Sequence, residues 1–308
     1  MRLSIVATLY RSEPYVADFC RRASAAAGQV TPDFEVVLVN DGSPDRSLEA
    51  ALDARKSNGR ITVMDLARNF GHHKAMMAGL ARAKGDLVFL IDSDLEEAPE
   101  LLAQFKTELD RTKADVVYGV QSKRRGGWFE RLTGALYYAT FEAITGLPLP
   151  RNLLTVRLMT RRYVDALLGH KERELNIGAL WTFTGFAQAP FAVDKGHKGS
   201  TSYDVRARIS HLVNSITSFS SAPLMFVFYL GVSISLLAGA AGSYLVVRRL
   251  FFGVLLEGWP SLIVSVWFLG GLTLLSLGVL GVYLAKVFSE VKQRPYVVIR
   301  DVFEARES

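Results

Sequence analysis

With a single cysteine, Cys20, among its 308 residues the chain has no means of forming an intrachain disulfide, which agrees with a reducing compartment. A secretory leader is also not expected. The apolar run Leu3 to Tyr10 is short, and Arg11 and Glu13 follow it without a small-residue cleavage pattern, so the front of the chain is expected to stay in the cytoplasm. No internal repeat or low-complexity segment occurs. No basic stripe with interleaved aromatics stands out, so nucleic acid is not an expected partner. The net charge of +6 and pI near 9.4 instead suit a surface lying against anionic lipid or phosphates.

Charge itself is missing from two long stretches. Half of the residues are hydrophobic and the mean hydropathy is +0.20, but the excess is concentrated beyond about Ser220. Neither Ala222 to Val247 nor Gly258 to Ala285 carries a charged residue. A helix needs roughly 20 such residues to cross a bilayer core of about 30 Å. Two spans are therefore expected, the alternative being two buried core helices. Lys286, Lys292, Arg294, Arg300 and Arg306 follow the second stretch, against Arg248 and Arg249 between the two. That excess favours both termini on the cytoplasmic side. The expected division is a cytoplasmic catalytic domain over 1–203, an amphipathic juxtamembrane helix over 204–220, a two-helix hairpin over 221–286 and a cytoplasmic tail over 287–308.

The front of the chain alternates two periodicities. Leu3 to Leu9, Glu35 to Asn40, Ile61 to Leu66, Leu87 to Ile91 and Val116 to Val120 read as strands. Tyr15 to Ala27, Ser47 to Lys56, Lys74 to Ala83 and Pro99 to Asp110 read as helices. This alternation predicts an α/β fold, a mostly parallel sheet with helices on both faces. Ligands of such sheets bind beyond the carboxyl ends of the strands. Two amphipathic stretches follow. One holds Trp128, Phe129, Leu132, Leu136, Tyr137, Phe141 and Ile144, and packs either on the sheet or in a membrane interface. The other, Val205 to Phe219, leads into the first span and is read as interfacial.

Two acidic clusters fall on the expected rim, Asn40 to Asp45 (NDGSPD) and Asp92 to Glu97 (DSDLEE). Like charges this close repel, and burying one is costly unless it is paired or neutralised. In a turn leaving a strand, Asp92 and Asp94 can point at one ion. Hard oxygen ligands select Mg²⁺ or Mn²⁺, which one or two carboxylates hold together with substrate phosphates. The plain alternative is a solvated turn whose acids cap the following helix. His72 and His73 are adjacent, so their side chains diverge at a helix start and do not readily share an ion. That segment is expected as a helix N-terminus near a nucleotide.

The ordered set SIVATLYRSE, VLVNDGSPDRS, LARNFGHHKAMMAGLARAKGDLVFLIDSDLEEAPELL, VVYGVQSKR, RLMTRRYVDAL, SFSSAPL and VKQRPYVV, together with the two spans, covers nearly the whole chain. It resembles the family 2 glycosyltransferases of GT-A fold. More closely, it resembles the polyisoprenyl-phosphate glycosyltransferases, the group that includes enzymes like dolichol-phosphate mannose synthase and bactoprenol glucosyltransferase. The resemblance implies a membrane-anchored, inverting transfer of one sugar from a nucleoside-diphosphate sugar, UDP-linked, to undecaprenyl phosphate at a bacterial inner membrane. It implies that Thr8, Leu9, Tyr10, Glu13 and Asp41 frame the nucleotide, and that Asp92 lies near the ribose. Asp94 would ligate the metal, joined by Asp92 and by Glu96 where many relatives have Gln. Glu97 is read as a helix-start acid. Relatives associate through the membrane region, which implies a homo-oligomer.

Two departures from that pattern are further absences. Where many relatives read R-D-x-G-D-F-R-L, Arg151 to Leu158 read RNLLTVRL, so Asn152 and Thr155 replace two carboxylates and no general base is available there. A lipid phosphate is already anionic and needs positioning rather than deprotonation, for which Arg151 and Arg157 are candidates, surface salt bridging being the alternative. Gly196 and Ser202 stand where relatives carry Arg and Lys; Lys198, with Lys195 and His197 nearby, is the candidate cation for the diphosphate, a solvated loop the alternative. The rival functions are a nucleotide-sugar-binding membrane scaffold without turnover and a subunit of a processive polysaccharide synthase. No Q-x-x-R-W motif supports the latter.

Overall fold

The computed structural model describes residues 1–121, 139–146, 152–172, 177–194, 216–252 and 258–305. Eight strands run β1 (Leu3–Leu9), β2 (Phe34–Asn40), β3 (Ile61–Leu66), β4 (Leu87–Leu90), β5 (Val116–Gln121), β6 (Leu153–Thr160), β7 (Gln188–Val193) and β8 (Ile299–Phe303). They form one sheet in the order β7-β5-β6-β4-β1-β2-β3-β8. The four central strands, β4-β1-β2-β3, are parallel. β6 is antiparallel to β4 and to β5, and β8 is antiparallel to β3.

The strand sequences explain the two-sided burial. Every residue of β1 is buried, and alternate side chains go to opposite faces. Leu3, Ile5, Ala7 and Leu9 join Val36 and Leu38 in one core, under α1 (Glu13–Val30), α2 (Ser47–Ser57) and α4 (Leu101–Thr112). Val6, Val37 and Val39 join the other, under α3 (His72–Arg82), α5 (Arg161–Gly169) and α6 (Ile177–Phe183). Phe105 of α4 meets Phe89 edge-on at 5.8 Å between centroids, and a buried ring of this size contributes about 1.5–3 kcal/mol. On the other face α3 lies so close that a Cβ on Gly79 would stand 2.5 Å from the Val6 side chain.

The chain divides into two compact units: Met1–Ala139, Leu147–Tyr203 and Arg294–Ser308; and Thr140–Gly146 with Asp204–Gln293. The division corrects the expected domain limits in two places. Residues 294–308 are not a separate tail. Their β-branched run, Val297 to Ile299 and Val302, adds β8 to the sheet edge. Residues 140–146, expected within the catalytic domain, belong to the second unit. There the Phe141 ring meets Phe219 at 6.4 Å, and Ser220 donates to the Ile144 carbonyl at 2.9 Å.

The second unit carries α7 (Ala222–Phe252) and α8 (Trp259–Val291). Ala222–Tyr244 and Ser265–Val291 are long and apolar enough to cross a membrane, at mean hydropathies of 2.1 and 2.0, and no part of either stretch is buried. Core helices of a soluble protein would be buried, so that alternative does not apply. The two helices are candidate membrane spans. Tyr283 on α8 donates to the Ser220 carbonyl at 2.7 Å, and Lys286 donates to the Ser218 hydroxyl at 2.6 Å.

Candidate active site at the carboxyl ends of the parallel strands

The turns after β1, β2, β3 and β4 meet on one rim of the first unit, and buried hydroxyls tie them together. Ser93, inside the acidic turn after β4, donates to the Thr8 carbonyl at 2.8 Å and lies 3.1 Å from the Ser12 hydroxyl. The Ser12 N–H donates to Ser47 at 2.9 Å, which links the β1 turn to the start of α2. Asp45 joins the same turns. It accepts from the Ser43 and Ser47 hydroxyls and from the N–H groups of Glu13 and Ser47. Burial pushes its carboxyl up, but these bonds outweigh that and bring it down to about 2.

Asp41 is only 2% exposed. Its N–H donates to the Leu9 carbonyl at 3.0 Å. Its two carboxylate oxygens accept from the N–H groups of Phe70 and Gly71, at 2.7 and 3.0 Å. Burial raises its pKa, against the lowering effect of these bonds. The next residue, Gly42, has φ of +57°, and a Cβ there would stand 2.4 Å from the Arg68 and Asn69 backbone. The close approach of two backbones thus requires glycine. In this geometry Asp41 holds the loop that follows β3.

That loop delivers His72, a residue the sequence reading left without a role. Its Nδ1 lies 2.9 Å from the Thr8 hydroxyl and its Nε2 lies 3.3 Å from Asp92 Oδ1. With the proton on Nε2, one neutral ring accepts from Thr8 and donates to Asp92. His73 diverges, its ring centroid 5.9 Å from that of His72. The signal was the position, a histidine opening the helix after a rim strand.

Asp92, Asp94 and Glu96 are half-buried, and Glu97 is buried four residues ahead of α4 rather than in its first turn. Asp94 Oδ1 accepts the Glu96 N–H at 3.1 Å. Leu95 between them has φ of +61°, a costly conformation for a branched residue and one that turns the chain sharply inside the acidic stretch. Among the described residues no three carboxylate or imidazole groups gather as a ready ion site. The donor chemistry fits Mg²⁺ or Mn²⁺, but the expected triple set Asp92, Asp94 and Glu96 is not assembled. The fit is to an ion held by one or two carboxylates plus substrate oxygens.

Other expected site residues are placed differently. The Leu9 side chain packs in the core, and its carbonyl serves Asp41. Tyr10 is exposed, and Glu13 accepts the Arg46 N–H at 3.3 Å. Arg157 is 1% exposed and does not lie on the surface where an acceptor phosphate would meet it. Strand parity explains this: Val156 and Leu158 face one core, and Arg157 faces the other beside Met159. Its guanidinium stacks on Trp181 and donates to the Leu154 and Thr155 carbonyls, each at 3.2 Å. Burial lowers its pKa to about 9. Arg151 and Lys198 lie outside the described residues, as do Lys195, Gly196, His197 and Ser202.

The model of glycosyl transferase family 2 matches residues 4–167, more than half of the chain and all four rim turns. The chain belongs to glycosyl transferase family 2. A Mycobacterium tuberculosis protein named for the glycosyltransferases is 52% identical over 98% of this chain and 89% of its own length. The prophage bactoprenol glucosyl transferase homolog of Escherichia coli is 28% identical over 98% of this chain and 99% of its own. An undecaprenyl-phosphate 4-deoxy-4-formamido-L-arabinose transferase of Aeromonas hydrophila is 28% identical over 97% and 93%. The family 2 chain is a glycosyltransferase whose mixed, centrally parallel α/β sheet is accompanied by two apolar helices.

Proposed function

We propose that this glycosyltransferase moves one sugar from a UDP-linked donor to undecaprenyl phosphate, with inversion, at the cytoplasmic face of a bacterial inner membrane. The observation that carries the reading is the acidic turn Asp92 to Glu96 beside the β1 and β2 turns, in a chain that runs on into two apolar helices. Full-length relatives named for bactoprenol and undecaprenyl phosphate support the acceptor. Both ends of the helix pair support the topology. β1 precedes the pair and β8 follows it, yet both lie in one sheet, which supports an even number of crossings. The cations at 286, 292 and 294 favour the cytoplasm for that side.

In the proposed reaction an acceptor phosphate oxygen attacks the anomeric carbon from the face opposite the diphosphate. The new C–O bond forms as the bond to the diphosphate breaks, so configuration inverts. The attacking oxygen is anionic at neutral pH, so the lack of a carboxylate at Asn152 and Thr155 does not bar the attack. Thr8, Tyr10, Glu13 and Asp41 frame the nucleotide. Asp94, with Asp92 or Glu96, would hold Mg²⁺ or Mn²⁺, whose charge would stabilise the departing diphosphate. Arg151 and Lys198 are the proposed cations for the acceptor and donor phosphates. The protein is further proposed to associate with copies of itself through the apolar helices.

Purified full-length protein, supplied with Mg²⁺ or Mn²⁺, undecaprenyl phosphate and a panel of UDP- and GDP-sugars, is expected to yield a lipid product one sugar heavier. No glycosyl-phospholipid with any donor would refute the acceptor assignment.

A further inference from the structure

The last strand of the sheet comes from residues that follow both apolar helices, more than 230 positions from its partner. β8 pairs antiparallel with β3: Asp65 faces Asp301, and Leu66 faces Ile299. Arg300 is therefore the extra residue of a bulge. Bulges at sheet edges re-aim a side chain, and this one sends the guanidinium into the sheet's rim. Arg300 donates to the buried Asp65 carboxylate at 3.1 Å and to the Ala67 carbonyl at 2.8 Å. Beside it, the Ala67 N–H donates to the Val298 carbonyl at 2.9 Å.

Both acceptors lead to the candidate donor site. The other oxygen of Asp65 accepts from the Asn40 side-chain amide at 2.7 Å, and Asn40 directly precedes Asp41. Ala67 opens the loop whose far end, Phe70 and Gly71, is held by Asp41 and whose next residue is His72. The loop is thus fixed at one end by β8 and at the other by Asp41. Asp65 is buried, so without Arg300 its carboxylate loses its cationic partner and keeps the neutral Asn40 amide as a hydrogen-bond donor.

We infer that Arg300 is a positioning residue for the nucleoside-diphosphate site, and that the segment after the membrane helices completes that site. The inference rests on the donor-site reading above. Removing Arg300 lets residues 67–71 and Asn40 shift together, and with them Asp41 and the Thr8–His72–Asp92 contacts. Glu304, on the same edge, supplies the control: its carboxylate pairs with Arg82 and has no link to Asp65.

The test uses full-length protein in nanodiscs, with UDP and GDP as probes in the presence of Mn²⁺, read by calorimetry alongside thermal midpoint and the split between donor KM and kcat. Arg300→Ala is expected to weaken nucleotide binding about tenfold and raise donor KM similarly, with kcat changed less than about threefold. Arg300→Lys, which keeps the charge at Asp65 but not the fork, is expected to recover most of that loss. Glu304→Ala is expected to bind as the unaltered protein does. Equal affinity in Arg300→Ala and the unaltered protein overturns the inference, whatever happens to the midpoint. So does an equal loss in Arg300→Ala and Glu304→Ala. An unaltered protein that binds neither UDP nor GDP overturns the donor-site reading itself.

Discussion

At His72 one imidazole spans two turns that lie about 85 positions apart in the chain, reaching the Thr8 hydroxyl through Nδ1 and Asp92 through Nε2. Asparagine can imitate the first contact, because its oxygen stands near the place of Nδ1. Glutamine can imitate the second. If the ring's task is to orient Asp92, His72→Asn is expected to lose about 10- to 100-fold in kcat/KM and His72→Gln clearly less, with both thermal midpoints near that of the unaltered protein. Equal losses would assign the ring to Thr8 instead. Residue identity alone could not have revealed this contact, since a histidine pair in sequence says nothing of which turn its first ring meets. Arg157 is the converse case. Its type suited a phosphate, and only the parity of β6 decided that it is stacked on Trp181 in the interior.

Among the elements, α1 and α2 are fastened at their N-termini by one carboxylate. Asp45 accepts the first-turn N–H of Glu13 and that of Ser47, groups that helices leave without an internal partner. Its pKa is brought down to about 2, below the ordinary aspartate value of roughly 4. A depressed folded value means stability that is present above the ordinary pKa and is lost as pH falls through the folded one. Asp45→Asn is therefore expected to be less stable by about 1–2 kcal/mol at pH 7. The gap should narrow from about pH 4 downward and close only below about pH 2. Thermal midpoints of both proteins across that range check it; a gap independent of pH would assign the loss to packing.

At the scale of the whole molecule, the central parallel strands and their helices were legible because period-2 and period-3.6 patterns are local. The acidic turn was legible because it ends a strand. β6 and β8 were not, since β8 is chosen by an edge more than 230 residues away and β6 by both neighbours it joins. In the proposed membrane placement, β8 in the sheet calls for an even number of crossings. A cysteine introduced at Glu257 is expected to react with an impermeant maleimide from outside intact cells, and one at Ala305 only after permeabilisation. Cys20 is buried and adds little background. Labelling of both from outside would contradict two full crossings. The central claim is that the acidic turn serves sugar transfer to a lipid phosphate. Its most direct test is the mass of the lipid formed from undecaprenyl phosphate by the unaltered enzyme and by Asp94→Asn, at equal protein and saturating donor. The account predicts a product one sugar heavier from the first and at least a hundredfold less from the second. Equal product from both would contradict it.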